Sequence, residues 1–410
     1  MDRGRAHLHG HCRAWSLGID KIDLAAPVPT IGVYRTIRGL LRADWDSCFP
    51  GDPEGWAYYR ALEESGLAAF SWFYFAAREH SRVVAVVPAF ITDYSLDTTI
   101  QGRWKNVLQL LRRRLGRRLT LRLLCLGSPL TDKCHLGFAP DLPPARRGEV
   151  VGLLLASVDA CAAAHGVGLV AAKDIADADF ESGAGAAFAA AGFARQPSLP
   201  NAILALPNGG EDEYFKSLSH AARRDVRRKL KSRDLVRIER RHGREALDLV
   251  PEIVRLYEGQ RERSRVHFNQ FEKLTPAYFR NVLTEQGKAA VVFLYLHQER
   301  LLAFNLCYHT DRLFIDKFIG FKPPLARALN LYVVSWMTNV RYCIARGIPF
   351  LQTGQTVYAM KLHLGSELRP NWMLFRHRNP ILNVALRLAG PMLAADRYDD
   401  DLTGRSTSAS

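Results

Sequence analysis

The chain has 410 residues, 48% hydrophobic and 24% charged, so it can bury a substantial core, has room for two domains, and is neither collagenous nor wholly disordered. Lys and Arg number 56 against 41 Asp and Glu, a net charge of +15, which suits an anionic partner such as nucleic acid, a phosphorylated carrier or a lipid surface. Seven dispersed cysteines without a C-x-x-C pair indicate neither a disulfide framework nor a zinc ribbon, and no apolar run is long enough to span a bilayer. A cytoplasmic protein without an export signal is expected.

Residues 1–25 read as an irregular tail. His7, His9, His11 and Cys12 lie close together there, but on a polar extension with no partner element, so no metal site is expected. Residues 56–67 have helical spacing, and 71–76 and 82–91 read as two strands around a polar turn. An insertion near 92–128 carries Arg112, Arg113, Arg114, Arg117 and Arg118 among leucines, with Trp104 as a possible stacking group. Strand 119–126, helix 149–165 closed by Gly166, strand 167–172 and helix 180–191 follow.

The second half repeats this order. Residues 246–263 and 275–284 read as helices, 289–297, 301–308 and 313–318 as strands, 326–345 as a long apolar helix closed by Gly347, and 350–354 as a strand before the segment 357–364. Two landmarks align between the halves. The Ala164-His165-Gly166 turn matches Ala345-Arg346-Gly347, with Leu169 falling on Phe350, and the hairpin at 82–85 matches that at 300–303. Landmarks in the same order point to a duplication. Residues 380–395 are apolar apart from Asn383 and Arg387 and are expected to pack into a core; 391–410 read as a disordered tail.

This order of helix, hairpin strands, helix ending in A-x-G, buried strand and helix resembles the GNAT acyltransferase fold present twice, in the manner of the FemAB-like and BioF2-like acetyltransferase-domain families. The resemblance is carried by the basic entry helix from Tyr214 to Leu230 and by the closing segment Tyr358-Ala359-Met360-Lys361-Leu362-His363-Leu364-Gly365. It implies an α/β protein of tandem GNAT-like domains, each a mixed, mostly antiparallel sheet flanked by helices, at 26–207 and 208–390. The implied activity is acyl transfer to an amine in the second domain. The chain departs from the usual phosphate-holding loop: Gly320-Phe321-Lys322-Pro323-Pro324-Leu325-Ala326-Arg327 has one glycine, and its two prolines lack N–H donors.

Candidate site residues follow from residue chemistry and from the resemblance together. Between Ser219 and Arg233 seven Lys/Arg oppose one acid, while Phe215, Leu218, Ala222, Val226 and Leu230 form an apolar stripe, so Arg223 and Arg227 belong to a cationic strip that can hold donor phosphates. Asp316 interrupts an apolar run, where burial would raise its pKa toward that of a useful base; a structural ion pair with Lys317 is the alternative. Lys317, Gln352, Gln355 and Lys361 are expected to bind substrate or carrier. The resemblance implies that Tyr358 protonates a leaving thiolate. Asn305 and His309 are weaker candidates, and Cys307 and Cys343 read as packing residues. The donor is expected to be acyl-CoA or an acyl carrier protein, with aminoacyl-tRNA acting on a cell-wall precursor or peptide as the alternative. No permanently bound cofactor and no metal are expected. A non-catalytic nucleic-acid or membrane-surface protein remains the reading from another class.

Overall fold

A computed structural model describes residues 28–95, 120–263, 271 and 273–389. The tail residues His7, His9, His11 and Cys12, the arginines 112–118 with Trp104, and the segment 391–410 lie outside the described residues.

The described strands are β1 (Thr30–Tyr34), β2 (Ser71–Glu79), β3 (Arg82–Ser95), β4 (Thr120–Leu126), β5 (Gly137–Phe138), β6 (Leu169–Ala176), β7 (Ala194–Ala205), β8 (Arg237–His242), β9 (Ala290–His297), β10 (Arg300–His309), β11 (Leu313–Phe321), β12 (Phe350–Thr353) and β13 (Glu367–His377). They form one sheet in the order β1-β2-β3-β4-β6-β13-β7-β12-β11-β10-β9-β8, with β5 added to β3. Two pairs are parallel, β4 with β6 and β11 with β12; the remaining pairs are antiparallel.

The two aligned landmarks of the sequence occupy the same places in each half. Leu169 opposes Leu123 at the start of the first parallel pair, as Phe350 opposes Leu313 at the start of the second. In the hairpins, Val84 is passed over between Arg78↔Val83 and Ala77↔Ala85, and Leu302 between Leu301↔Leu296 and Ala303↔Tyr295. The same bulge therefore recurs at the same step of each half. An extra residue sharpens the local twist of the strand, so its position is a structural feature rather than an accident.

The halves are joined by an exchange of their last strands. β13 inserts between β6 and β7, and β7 pairs on its other edge with β12. Each half thus completes its sheet with a strand next to the other, which removes an edge from both.

Helices cover the faces. Helix Pro144–Ala164 begins at a proline and buries Val150, Val151, Leu154, Leu155, Val158, Cys161 and Ala162, a stripe at spacings of three and four, against the first half. Helix Leu331–Arg346 does the same for the second half and ends at Gly347, whose φ of +66° is a left-handed conformation that glycine adopts without strain. A third apolar cluster, with Tyr58, Tyr59, Tyr278 and Phe279 from helices Trp56–Glu63 and Pro276–Gln286, joins the two halves on the opposite face.

Several expectations are corrected. The basic stretch is two helices, Glu211–Ser217 and His220–Leu230, because Leu218 is extended and the Ser219 hydroxyl caps the second by accepting from the Ala222 N–H at 3.1 Å. The long helix expected over 326–345 is broken at Asn330, which takes a left-handed φ of +52°. Of the apolar stretch 380–395, helix Pro380–Ala389 meets the core only through Leu386 and leaves Ile381, Leu382, Val384 and Leu388 exposed, while 390–395 lie outside the described residues.

Candidate active site

Each parallel pair is the base of a fork. β4 and β6 run together from Leu123↔Leu169 to Leu126↔Ala172, and β11 and β12 from Leu313↔Phe350 to Asp316↔Thr353; beyond these points the partners separate. The two forks are filled differently. In the first, Gly127, at a φ of +100°, turns the chain into the segment 128–136, which returns to the β6 edge: the Cys134 N–H donates to the Asp174 carbonyl at 2.7 Å, and the Lys173 ammonium to the Thr131 carbonyl at 2.5 Å. In the second, no backbone hydrogen bond crosses between β11 and the chain after β12 beyond Asp316↔Thr353, among the described residues.

Asp316 stands at the base of this second fork. Its strand is bulged there: Leu306 opposes Phe318 and Cys307 opposes Asp316, so Lys317 is the extra residue. A bulge re-aims the side chains on either side of it. Asp316 turns to the face covered by helix Leu331–Arg346, where the Asn339 amide donates to its Oδ2 at 3.1 Å and Asn305 donates in turn to Asn339 Oδ1 at 3.4 Å. Burial pushes the Asp316 carboxyl up to about 6; the nearby Lys361 charge and the two asparagines pull the other way without cancelling it. Asn339 went unnoticed in the sequence, although a polar residue in an otherwise apolar helix was its signal.

Lys317 turns to the opposite face. Its ammonium pairs with Glu54 at 2.6 Å and donates to the Leu130 carbonyl, and both side chains are almost fully buried, 3% and 1% exposed. Burial alone would discharge the lysine, but Glu54 and Asp132 outweigh it and hold it protonated. The ion pair considered for Asp316 and Lys317 is therefore replaced by one between Lys317 and Glu54, which ties the second half to the first. Next to it, the Asp52 carboxylate contacts Lys133 and, at 3.1 Å, His135, whose other ring nitrogen is 2.6 Å from the Tyr59 hydroxyl. Asp52, Glu54 and His135 are close enough to one another to suggest a cation site, but the ammonium groups of Lys133 and Lys317 already supply the cations.

Gln352 follows Leu351 and precedes Thr353 on β12; by strand alternation it lies on the face opposite Asp316, and it is buried. The sheet therefore separates these two candidates. Gln355, after the strand, is taken up structurally: its amide donates to the Leu199 carbonyl at 3.0 Å, to the Asp132 carbonyl at 3.3 Å and to Asn201 Oδ1 at 3.3 Å. Leu130 and Asp132 thus touch Lys317 on one arm of the fork and Gln355 on the other.

Tyr358 and Lys361 lie on the short helix Tyr358–His363 and are buried. The Lys361 ammonium donates to the Gly354 carbonyl, at the end of β12, and the Tyr358 hydroxyl to the Pro200 carbonyl at 3.0 Å. Prolines explain that acceptor. The β7–β13 ladder skips Leu199 and Pro200 on one strand and Pro370 on the other, because proline has no N–H to give. Gln355, Tyr358 and Asn371 bond to the carbonyls of Leu199 and Pro200. Val357, just before the helix, holds a φ of +58°, a costly conformation for a β-branched residue.

The basic helix His220–Leu230 flanks this site. Asp225 accepts from Arg228 at 2.6 Å and Lys229 at 2.8 Å and lies 3.4 Å from His363, while Ser232 meets Asn330 at 3.1 Å, so the strip runs beside both helices that follow the fork strands. Arg227 is exposed and lies 5.2 Å over the Phe215 ring; Arg223 is half-buried and donates to the Leu218 carbonyl. In the proline-containing loop, the N–H groups of Lys322, Ala326, Arg327, Ala328, Leu329 and Asn330 bond to backbone carbonyls, which leaves it poor in donors for a phosphate cradle. Of the weaker candidates, His309 is held at 2.9 Å by the Tyr342 hydroxyl, and Cys307 and Cys343 are buried with thiols pushed up by burial.

The parallel pair that parts at Asp316, the bulged strand before it and the helix after it define a GNAT-type unit. In agreement, residues 220–361 match the family model described as an acetyltransferase (GNAT) domain. Among solved structures, FemX shares the fold with a TM-score of 0.57 at 13% identity, over 87% of this chain and 100% of that one. The C-terminal domain of a putative lysylphosphatidylglycerol synthetase from Agrobacterium fabrum gives 0.49 at 13% identity, over 84% and 96%. A tandem GNAT protein from the clavulanic acid biosynthesis pathway gives 0.45 at 13%, over 79% and 88%. No curated protein matches the sequence. Residues 220–361 thus match a GNAT-type acetyltransferase domain, and the chain, with a first unit of the same strand order, shares the fold of FemX.

Proposed function

We propose that the chain is an N-acyltransferase that moves an acyl group from a thioester donor, acyl-CoA or an acyl carrier protein, to an amine, and that the fork after Asp316 and Thr353 is where the two meet. The observation that carries this reading is the pairing of a fork that no backbone hydrogen bond crosses, among the described residues, with a carboxyl at its base whose pKa is raised to about 6. At neutral pH that group is ionised yet basic enough to take a proton from an attacking amine.

In the proposed reaction the amine nitrogen attacks the thioester carbonyl, and Asp316 receives the proton released. The oxyanion is stabilised by backbone N–H groups on the parting strand edges. When the intermediate collapses the C–S bond breaks, and the Tyr358 hydroxyl gives its proton to the thiolate, exchanging its bond to Pro200 for one to sulfur. The products are an amide and a free thiol. Asn339 positions the Asp316 carboxylate, and Lys361 keeps a positive charge near both the carboxylate and the end of β12. Because the loop after β11 spends its N–H groups internally, Arg223 and Arg227 on the basic helix are the proposed contacts for the donor's phosphates. Gln352, Gln355 and Lys317 support the fork rather than touch the donor.

The test is thiol release from acetyl-CoA and longer acyl-CoA thioesters in the presence of an amine panel, with the amide identified by mass spectrometry. Amine-dependent release is expected. An aminoacyl-tRNA donor is the second reading, since the same cationic strip suits RNA. Activity in a cell extract that RNase abolishes, with no thioester turnover, would replace the first reading by the second.

A further inference from the structure

Helix Pro380–Ala389 is inverted relative to a helix that packs on a globular core. Its inward side is Asn383, whose amide oxygen accepts from the His377 N–H at 3.0 Å, together with Leu386, which packs against the core of the joined halves. The positions half a turn away, Ile381, Val384, Ala385 and Leu388, are all apolar and all exposed, and Leu382 adds to them at the side. Ile381 and Leu388 expose 79% and 77% of their surface. The apolar patch so formed is on the order of 400 Å², within the range of the largest exposed patch of a typical monomer, which is often functional.

Two observations identify the occupant. Charge is the first: Arg378 and Arg387 are exposed at the start and the flank of the helix with no acid between Arg376 and Ala395, in a chain of net charge +15, whereas Arg376 is spent on Asp159 and the next acids in sequence are Asp396 and Asp399 to Asp401. Size is the second. Two such faces packed together would bury about 800 Å² in total, below the 1,200 Å² or so that stable protein interfaces reach, and the outward positions offer no side chain that could form an interface hydrogen bond. An apolar helical face with cations beside it is the pattern of a helix that lies in the plane of an anionic bilayer surface. We propose that helix Pro380–Ala389 seats this protein on anionic lipid, with Ile381, Val384 and Leu388 inserted at the headgroup boundary and Arg378 and Arg387 against the lipid phosphates. This docking is independent of the proposed reaction.

The test is co-sedimentation of the full chain with vesicles of phosphatidylcholine alone and with about 30 mol% phosphatidylglycerol. Binding to the anionic vesicles is expected, weakened by salt and by the Arg378→Gln/Arg387→Gln variant by about fivefold per arginine. The Ile381→Gln/Leu388→Gln variant should lower the partition coefficient about tenfold or more, with an unchanged melting temperature because both side chains already face water. Absence of wild-type binding, binding indifferent to the apolar variant, or a concentration-dependent dimer that Leu388→Gln dissolves while vesicles are ignored would each overturn the proposal.

Discussion

Replacing Asp316 by Asn separates activity from stability. The carboxyl is shifted from an ordinary 3.8 to about 6, and at about 1.4 kcal/mol per unit the ionised form costs the fold up to about 3 kcal/mol. The sign follows from linkage. A carboxyl whose folded pKa is raised favours the fold while protonated, below about pH 4, and that stability is lost as pH climbs to about 6, after which the loss is constant. Asparagine keeps the shape and can still accept from Asn339, but has no charge to desolvate. Urea denaturation at pH 8 should therefore show Asp316→Asn more stable than wild type by about 1–3 kcal/mol, and the difference should vanish near pH 4. Amine-dependent thiol release should fall by about 100-fold or more, the usual contribution of a positioned base, and wild-type kcat/KM should drop about tenfold per pH unit below pH 6. A variant that turns over at the wild-type rate, or that is less stable than wild type at pH 8, would refute the assignment of Asp316 as a base stored at a cost to the fold.

Tyr358→Phe removes a hydroxyl bonded to Pro200, so it should cost about 1 kcal/mol in urea denaturation and lower kcat with little change in KM; a kcat equal to wild type removes the hydroxyl from the reaction. Lys317→Met strands Glu54 in a buried site and should destabilise by about 3–5 kcal/mol, much of it regained in the Glu54→Leu/Lys317→Met double variant; additive losses in a double-mutant cycle would contradict a direct pair. Arg223→Gln/Arg227→Gln should raise the KM for an acyl-CoA donor and flatten its salt dependence while kcat stays within about twofold; an unchanged KM would place the donor's phosphates elsewhere.

The central strands were legible because their apolar runs and turn glycines are local signals. The A-x-G turns and the paired hairpins aligned the halves correctly, and even the bulge positions Val84 and Leu302 fall together. β7 and β13 were not legible: Pro197, Pro200 and Pro370 interrupt them, and proline inside a strand argues against one until the break in the ladder is seen. β8, with its sequence Arg-Ile-Glu-Arg-Arg-His, is an edge strand whose polar character hides it. Asp316 stood out as one acid in an apolar run. Its neighbour misled, because alternation would place Lys317 on the far face whatever its partner, and that partner, Glu54, belongs to a turn-rich stretch with no periodicity 263 residues away. Gln352 is a binding candidate in the sequence, but the register of the parallel pair, Ile315↔Gln352 and Asp316↔Thr353, puts it on the face opposite Asp316.

The most direct measurement is hydrogen–deuterium exchange of the full chain with and without a saturating acyl-CoA. Slower exchange at residues 313–321 and 350–363, with 123–126 and 169–176 unaffected, is the predicted pattern. Protection confined to the first pair of diverging strands, where residues 128–136 already sit, would contradict it.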